Sequence, residues 1–406
     1  MPVHGLRRLR SERSGSAAFQ GSDAAYAVKL ITEASDFARL RTSWNAVAAL
    51  SRVAKPFACH EWFDAAWQWR QQTARLYLLC LFDNQKLVAV LPLVMDKTSK
   101  WGITRRELSF LTVPDTQACD LLAAEPDRAA AAKAFADELD RRQDEWDVIR
   151  LKHLAPGTIA ASTLRDALVK LEFSTWLQQA PGNPFIPLDS TWEAFYATRS
   201  RSLKKANNLA ANRLKKAGNV TIERLGPGTG ELADLERFLD CAIGISARSW
   251  KTRTGNSLNN AGPESFIRRL SHHAHERRWL SIWILKLNDR ALAMEYQLVA
   301  DNRIYALRSD FVAELADISP GTYLNRCLLE QLFGVGLERY YLGPGDNIYK
   351  HRWTGDVEPV EALTVYGRSV IGRWSAAWET SLKPRARALR DRLRAASSNE
   401  AARKRQ

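Results

Sequence analysis

Residues 59–154 and 263–343 ask for the same elements in the same order, and this repetition limits the available folds more than any single motif does. In the first stretch, "CHEWFDAAWQWR" (59–70) spaces Trp62, Ala66 and Trp69 along one helical face. A hairpin follows, "ARLYLLCLF" and "KLVAVLPLVM", turning through Asp83, Asn84 and Gln85. "ELSFL" continues as a strand, a loop carries Asp115 and Asp120, and an alanine-rich helix over 127–142 precedes the strand "WDVIRLKHL". The second stretch runs helix ("PESFIRRLSHHAHERR"), hairpin ("LSIWILKL", "ALAMEYQLVA"), strand ("RIYALRSDF"), helix (321–333) and strand ("ERYYLG"). Two copies of one α/β unit explain this order better than a single long sheet. A chain of 406 residues also exceeds one ordinary core, so two domains of roughly 150 to 200 residues are expected.

The formal charge is +14, which suits nucleic acid, an anionic membrane face or a phosphate-bearing ligand. The excess gathers in "LRRLRSER", in "RSRSLKKANNLAANRLKKAG" and in "KPRARALRDRLRAASSNEAARKRQ". The two terminal runs read as solvated tails or a basic helix that touches lipid phosphates. The middle run, 199–216, is long enough for a helix charged nearly all round. No apolar stretch approaches the roughly 18 residues of a membrane span. The N-terminus has no apolar core of a secretory signal. Cys59, Cys80, Cys119, Cys241 and Cys327 are widely spaced in apolar surroundings, as reduced core thiols would be. A cytoplasmic protein is the expectation.

Chemistry concentrates in the last third. In "ISPGTYLNRCLLEQLFGVG" (318–336), Ser319 and Thr322 offer caps, Pro320 suits a helix start, and Gly321 lets a ligand approach the backbone. Free N–H groups at such a helix start suit a pyrophosphate; a well-capped helix is the plainer reading. A two-residue turn at Asp301–Asn302 pairs Ala300 with Arg303 and sets Glu295 opposite Arg308. Ala293, Glu295 and Gln297 then share a polar face with Ala306, Arg308 and Asp310. That face lines a substrate site or forms a solvated ion pair at a sheet edge. "YYLGPGDNIYKHRWTG" (340–355) bends at Gly343 and Gly345 and gathers Asp346, Tyr349, Lys350 and Trp353. Lys350 can meet a phosphate or a developing oxyanion, and Asp346 can take a proton or hold an amine. Other motifs fail. His272 and Glu276 share a helix face but lack further ligands for a metal, and "GPGTGELADLE" lacks the lysine and hydroxyl residue of a phosphate loop.

The segment "YALRSDF…ISPGTYLNRCLLEQLFGVGLERYYLGPGDNIYKHRWTG" resembles the C-terminal domain of the CelD-like acetyltransferases of the GNAT superfamily. "FACHEWFDAAWQWR" with "LVAVLPLV" is similar to that group's N-terminal portion. The group is related to the FemABX peptidyltransferases, whose two GNAT-like folds share one chain. The likeness spans residues 30–365. It implies tandem GNAT-like α/β folds with mixed central sheets flanked by helices, and acyl transfer from acyl-CoA, acetyl-CoA above all, to an amine or hydroxyl. For the CelD-like group it further implies a saccharide acceptor in cellulose or exopolysaccharide biosynthesis. "RSRSLKKANNLAANRLKKAG" resembles the FemABX basic helix at the domain junction, and Lys350 matches a lysine placed there near the acyl ester. Two departures stand out: "DISPGTYL" replaces the usual Q/R-x-x-G-x-G/A loop, and the corresponding "EPDRAAAAKAF" of the first half is acidic and lacks glycine.

The expected organisation is a basic tail over 1–25, an N-terminal GNAT-like domain over 26–188 that is degenerate for cofactor, a C-terminal GNAT domain over 189–367, and a basic helix or tail over 368–406. Lys350, Asp346 and Glu295 are the expected catalytic residues. Arg308, Asp310, Tyr349 and Trp353 are the expected substrate contacts. Ser319, Gly321 and Thr322 are expected to meet the acyl-CoA phosphates, with no metal. An aminoacyl-tRNA-dependent transferase, drawing on the basic 199–216 segment, and a non-catalytic scaffold of a polysaccharide-synthesis complex are the competing readings.

Overall fold

The hairpin turns come out where the sequence places them. Asp301 and Asn302 both take left-handed backbone (φ 49° and 57°), the twist a two-residue hairpin needs, and Ala300 pairs with Arg303. The computed structural model describes residues 18–21, 24–100 and 103–382. Most of the expected 1–25 tail, and the 368–406 tail beyond 382, lie outside the described residues. Among these the strands are β1 (Ala18–Gly21), β2 (Ala24–Ile31), β3 (Ala74–Asp83), β4 (Lys86–Lys100), β5 (Ile103–Phe110), β6 (Leu122–Ala123) and β7 (Val148–Leu154). Then follow β8 (Ser174–Pro187), β9 (Val220–Leu225), β10 (Leu280–Leu287), β11 (Arg290–Ala300), β12 (Arg303–Phe311), β13 (Arg339–Tyr341) and β14 (Val357–Tyr366).

The repeated unit is present twice. In the first, the meander β3–β4–β5 leads through the helix Arg128–Arg141 to β7, parallel to β5. In the second, β10–β11–β12 leads through the helix Pro320–Leu332 to β13, parallel to β12. The two units do not keep separate sheets, contrary to the expectation. The order is β1-β2-β3-β4-β5-β7-β14-β8-β13-β12-β11-β10-β9, with β6 on β4. The long strand β8 causes the fusion. Its last residues pair with β13 and the rest with β14, which in turn pairs with β7. Such a late strand inserted between early ones leaves no local trace in a sequence.

The helices pack as their periodicities demand. Leu324, Leu328 and Leu332 form a fully buried stripe. The basic helix, Arg201–Ala217, is not charged all round: Leu203, Asn207, Ala210 and Leu214 are buried at helical spacing. Helix His60–Arg70 of the first unit lies on helix Ala261–Glu276 of the second, with Trp62 edge-on to Phe266 at 5.4 Å. Ion pairs to two largely buried carboxylates close this seam. Arg269 Nε donates to Asp64 at 2.6 Å and His273 Nε2 lies 2.8 Å from the same carboxylate. Glu61 accepts from Arg277 at 2.6 Å and from Arg41 at 3.0 Å. Burial pushes the Glu61 carboxyl up, but these guanidinium hydrogen bonds outweigh it and hold its pKa down at about 2.

A folded-state pKa below the unfolded 4.5 stabilises above pH 4.5 and is lost as pH falls through the folded value. Glu61→Gln is therefore expected to cost about 3 kcal/mol at pH 7, from 1.36 kcal/mol per pKa unit. The gap to the unmutated protein should close between pH 4.5 and 2. Urea unfolding at several pH values checks this; a pH-independent gap would contradict it.

Candidate active site

The site begins at an irregularity in β12. Gln297 of β11 stands opposite Ala306, but the next residue, Tyr296, stands opposite Arg308, so Leu307 is an extra, bulged residue. A one-residue slip moves every later side chain to the other face. Glu295 therefore faces Ser309, not Arg308, and the expected Glu295–Arg308 pair does not form. Arg308 donates instead to Asp115 at 2.7 Å and to the Asn256 carbonyl at 2.7 Å. Asp310 receives Lys251 at 2.6 Å and the Ser246 hydroxyl at 2.8 Å. Both charges are thus paired within the protein; Arg308 still lines the cleft that opens here, and Asp310 does not.

β12 and β13 pair only from Arg303–Tyr305 to Arg339–Tyr341, and then part. At the fork the Ala306 carbonyl, which a longer β13 would have engaged, accepts from Gln117 Nε2 at 2.8 Å. Gln117 comes from the first unit, and its own carbonyl accepts from Asn183 at 3.2 Å. Beyond the fork the chain bends through Gly343 and Gly345, both left-handed (φ 80° and 122°). This returns Lys350, in the short helix Ile348–His351, beneath the bend. Lys350 is 3% exposed, and its Nζ donates to the carbonyls of Gly343 (2.6 Å) and Pro344 (3.1 Å). Burial lowers its pKa to about 8. Asp346 does not hold this lysine: it is exposed and pairs with His351. Neutral carbonyls take its place.

The opened fork is a cleft of about 480 Å³, lined by Glu295, Tyr340, Tyr349, Lys350 and Trp353 together with Gly321, Thr322 and Asn325. Glu295 is buried and accepts from the Tyr340 hydroxyl and from Gln297 at 3.1 Å. Gln297 is fixed in turn by the Trp283 indole at 3.0 Å. Burial raises the Glu295 pKa against the pull of these donors, which favours a carboxyl able to hold a proton. Desolvation of the Tyr349 hydroxyl, on a side chain that is half exposed overall, and then the Glu295 charge push that phenol's pKa up to about 12. Trp353 is buried near Trp192 and anchors the end of the lysine segment. Gly321 and Thr322 open helix Pro320–Leu332 toward the cleft, with first-turn N–H groups that lack helical acceptors. Ser319 is left-handed (φ 55°), makes no side-chain cap and does not line the cleft.

The corresponding fork of the first unit is filled. β5 and β7 pair only through Glu107–Ser109, after which the 111–121 loop folds in and Cys119 N donates to the His153 carbonyl at 3.0 Å. A cavity of about 310 Å³ remains beside it, lined by Asp120, His153 and Asn183. Gln117 lines both cavities. Nothing in the pattern of residues around Gln117, Asn183, Tyr340 or Asn325 marks them as site residues. The long irregular loop 111–121 is the only sequence signal. His272 pairs with Glu236 at 3.0 Å, and among the described residues no group of three or more His, Cys, Asp or Glu is placed to hold a metal.

Residues 201–351 match a family model described as an acetyltransferase (GNAT) domain. No curated protein matches the chain in sequence. Among solved structures, FemX superposes with a TM-score of 0.50 at 12% identity, covering 80% of this chain and 95% of that one. The C-terminal domain of a protein provisionally described as a lysylphosphatidylglycerol synthetase from Agrobacterium fabrum superposes with a TM-score of 0.51 at 13% identity, covering 84% and 97%. Residues 201–351 thus match a GNAT domain, and the chain as a whole shares the fold of FemX.

The buried lysine gives a testable signature. A folded pKa of about 8 against 10.5 unfolded means that folding is penalised below pH 8 and the penalty lifts as pH rises toward 10.5. The unmutated protein should gain stability relative to Lys350→Met across that window. Thermal unfolding of both from pH 7 to 10.5 measures it, and parallel profiles would contradict a desolvated ammonium.

Proposed function

We propose that this chain is an acyltransferase acting in the cytoplasm, moving an acyl group, acetyl in the first instance, from acyl-CoA to an amine or hydroxyl. One observation carries the reading: a single cleft holds a buried carboxyl, a buried lysine and an open helix N-terminus. Glu295 takes the proton as the acceptor nitrogen or oxygen attacks the acyl carbon. The C–S bond then breaks as the carbonyl re-forms, and the CoA thiolate leaves, taking up the proton that Glu295 received. Lys350 Nζ stabilises the negative charge that develops on the carbonyl oxygen. The Gly343 and Pro344 carbonyls fix the ammonium in place, so little reorganisation accompanies the step. Tyr349 and Trp353 wall the acceptor side.

Acyl-CoA fits this cleft in part. The Gly321 and Thr322 amides suit a diphosphate, and Arg352 adds positive charge to the lining. The Q/R-x-x-G-x-G/A cradle is missing, and the Ala306 carbonyl, on the edge an incoming pantetheine arm would follow, is taken by Gln117. That last feature favours a second reading, an aminoacyl-tRNA donor. Leu203 and Ala206 of the basic helix line the same cleft, so RNA phosphates on that helix would place an aminoacyl end within reach. The name of the synthetase from Agrobacterium fabrum is in keeping with it. The CelD-like resemblance supports a saccharide acceptor in cellulose or exopolysaccharide biosynthesis. A scaffold without catalysis is the remaining alternative.

Melting temperatures with acetyl-CoA, longer acyl-CoAs and aminoacyl-tRNA separate these donors, since a ligand that binds only the folded state raises the midpoint by mass action. A saturable rise with acyl-CoA is expected. A rise with aminoacyl-tRNA alone moves the second reading forward, and none with any donor supports the scaffold. With donor and acceptor in hand, Glu295→Gln and Lys350→Met should each lower kcat by about 10²- to 10³-fold, as loss of a positioned base or oxyanion donor does. Unchanged turnover in either folded variant would remove that residue from the chemistry.

A further inference from the structure

Helix Val370–Ala377 continues through the turn Trp378–Leu382 and follows β14 directly. Its inner side is fixed firmly. Ser369 accepts from Gly372 N at 3.0 Å and donates to Asp147 at 2.7 Å. A Cβ on Gly372 would lie 2.2 Å from the Gly367 carbonyl, so the helix backbone sits directly on the chain below. Glu379 turns inward to Arg150 at 3.0 Å and to the Tyr366 hydroxyl at 3.1 Å. These contacts leave no freedom to rotate the helix about its axis.

The outer side carries an unexpected stripe. Val370, Trp374, Trp378 and Leu382, four residues apart, are 75%, 64%, 43% and 46% exposed. The two indoles stack at 5.8 Å with their planes 3° apart. Thirteen large apolar side chains are exposed among the described residues, and four of them fall in this one stripe. In sequence the charge of this end is one-sided: residues 370–406 contain ten Lys and Arg and three Asp and Glu. No helix of the described residues is long and apolar enough to cross a membrane.

We propose that this face docks the protein on the surface of an anionic lipid bilayer, with Trp374 and Trp378 at headgroup depth and the cationic residues that follow in sequence against lipid phosphates. The stripe is one residue wide, which suits shallow insertion rather than a protein core. Tryptophan is the side chain favoured at that depth, having an apolar body and one N–H donor. A second copy of this chain is disfavoured as the occupant. Isologous pairing would set the same basic stretch against itself, whereas anionic headgroups neutralise it. The proposal is independent of the acyl-transfer reading.

Flotation of the full-length protein with vesicles of phosphatidylglycerol and phosphatidylcholine tests it, against vesicles of phosphatidylcholine alone. Binding to the anionic vesicles, weakened by salt, is expected. The double variant Trp374→Ser, Trp378→Ser should lower the partition coefficient by about tenfold or more, given the apolar area removed, with an unchanged melting temperature because both side chains lie outside the core. Brominated lipids should quench part of the unmutated protein's tryptophan fluorescence. No vesicle binding, equal binding by the double variant, or a loss of oligomeric mass in the variant without loss of lipid binding would each overturn the proposal.

Discussion

The whole cleft depends on two adjacent strands ceasing to pair. β12 and β13 run together for three residues and then diverge, and the backbone groups they leave behind must be satisfied some other way. Gln117 supplies an amide to the Ala306 carbonyl and Lys350 supplies an ammonium to the Gly343 and Pro344 carbonyls. The groups that repair the broken ladder are therefore the groups that line the opening. The bulge at Leu307, at the same level, turns Arg308 away from Glu295 and leaves that carboxyl to neutral donors. A carboxylate beside a guanidinium would be held ionised; Glu295, with the neutral donors Tyr340, Gln297, Ser309 and Asn325 about it, sits closer to proton exchange.

The two units divide the labour through these same contacts. The first unit closes its own fork with the 111–121 loop, and that loop carries Asp115 to Arg308 and Gln117 to Ala306 in the second. Its lost cleft becomes the wall of the working one. The seam of Asp64, Glu61, His273 and Arg277 holds the units in register from the other side of the sheet. Buried charges of this kind are costly to leave unpaired, so the relative placement of the two units is specified by few arrangements.

Much of this could be read from the residues. The repeated order, the turn at Asp301–Asn302, the helix behind Pro320 and the gathering around Lys350 all rest on local signals: alternation, φ preference, proline at a helix start, glycine at a bend. The bulge could not be read, because Leu307 is an ordinary strand residue and its displacement is decided by what lies across the fork. Asp346 reads from the sequence as a proton acceptor or an amine holder beside Lys350. The glycine bend instead offered carbonyls nearer the buried Nζ, and the acid stayed in water. Gln117 and Asn183 come from distant segments and are joined only by the fused sheet. The Trp374–Trp378 spacing is plainly helical, but such a stripe ordinarily marks the buried side; here Gly372 and Ser375 take the inside.

Amide hydrogen exchange with and without saturating acetyl-CoA tests the placement of acyl transfer in this cleft most directly, because it needs no acceptor. Binding there predicts slowed exchange at Gly321 and Thr322, at the start of helix Pro320–Leu332, and through residues 343–350. Protection confined to the 117–121 and 153–159 segments, around the first unit's cavity, would place the donor on the wrong side of Gln117 and contradict the assignment of Lys350 and Glu295 to the chemistry.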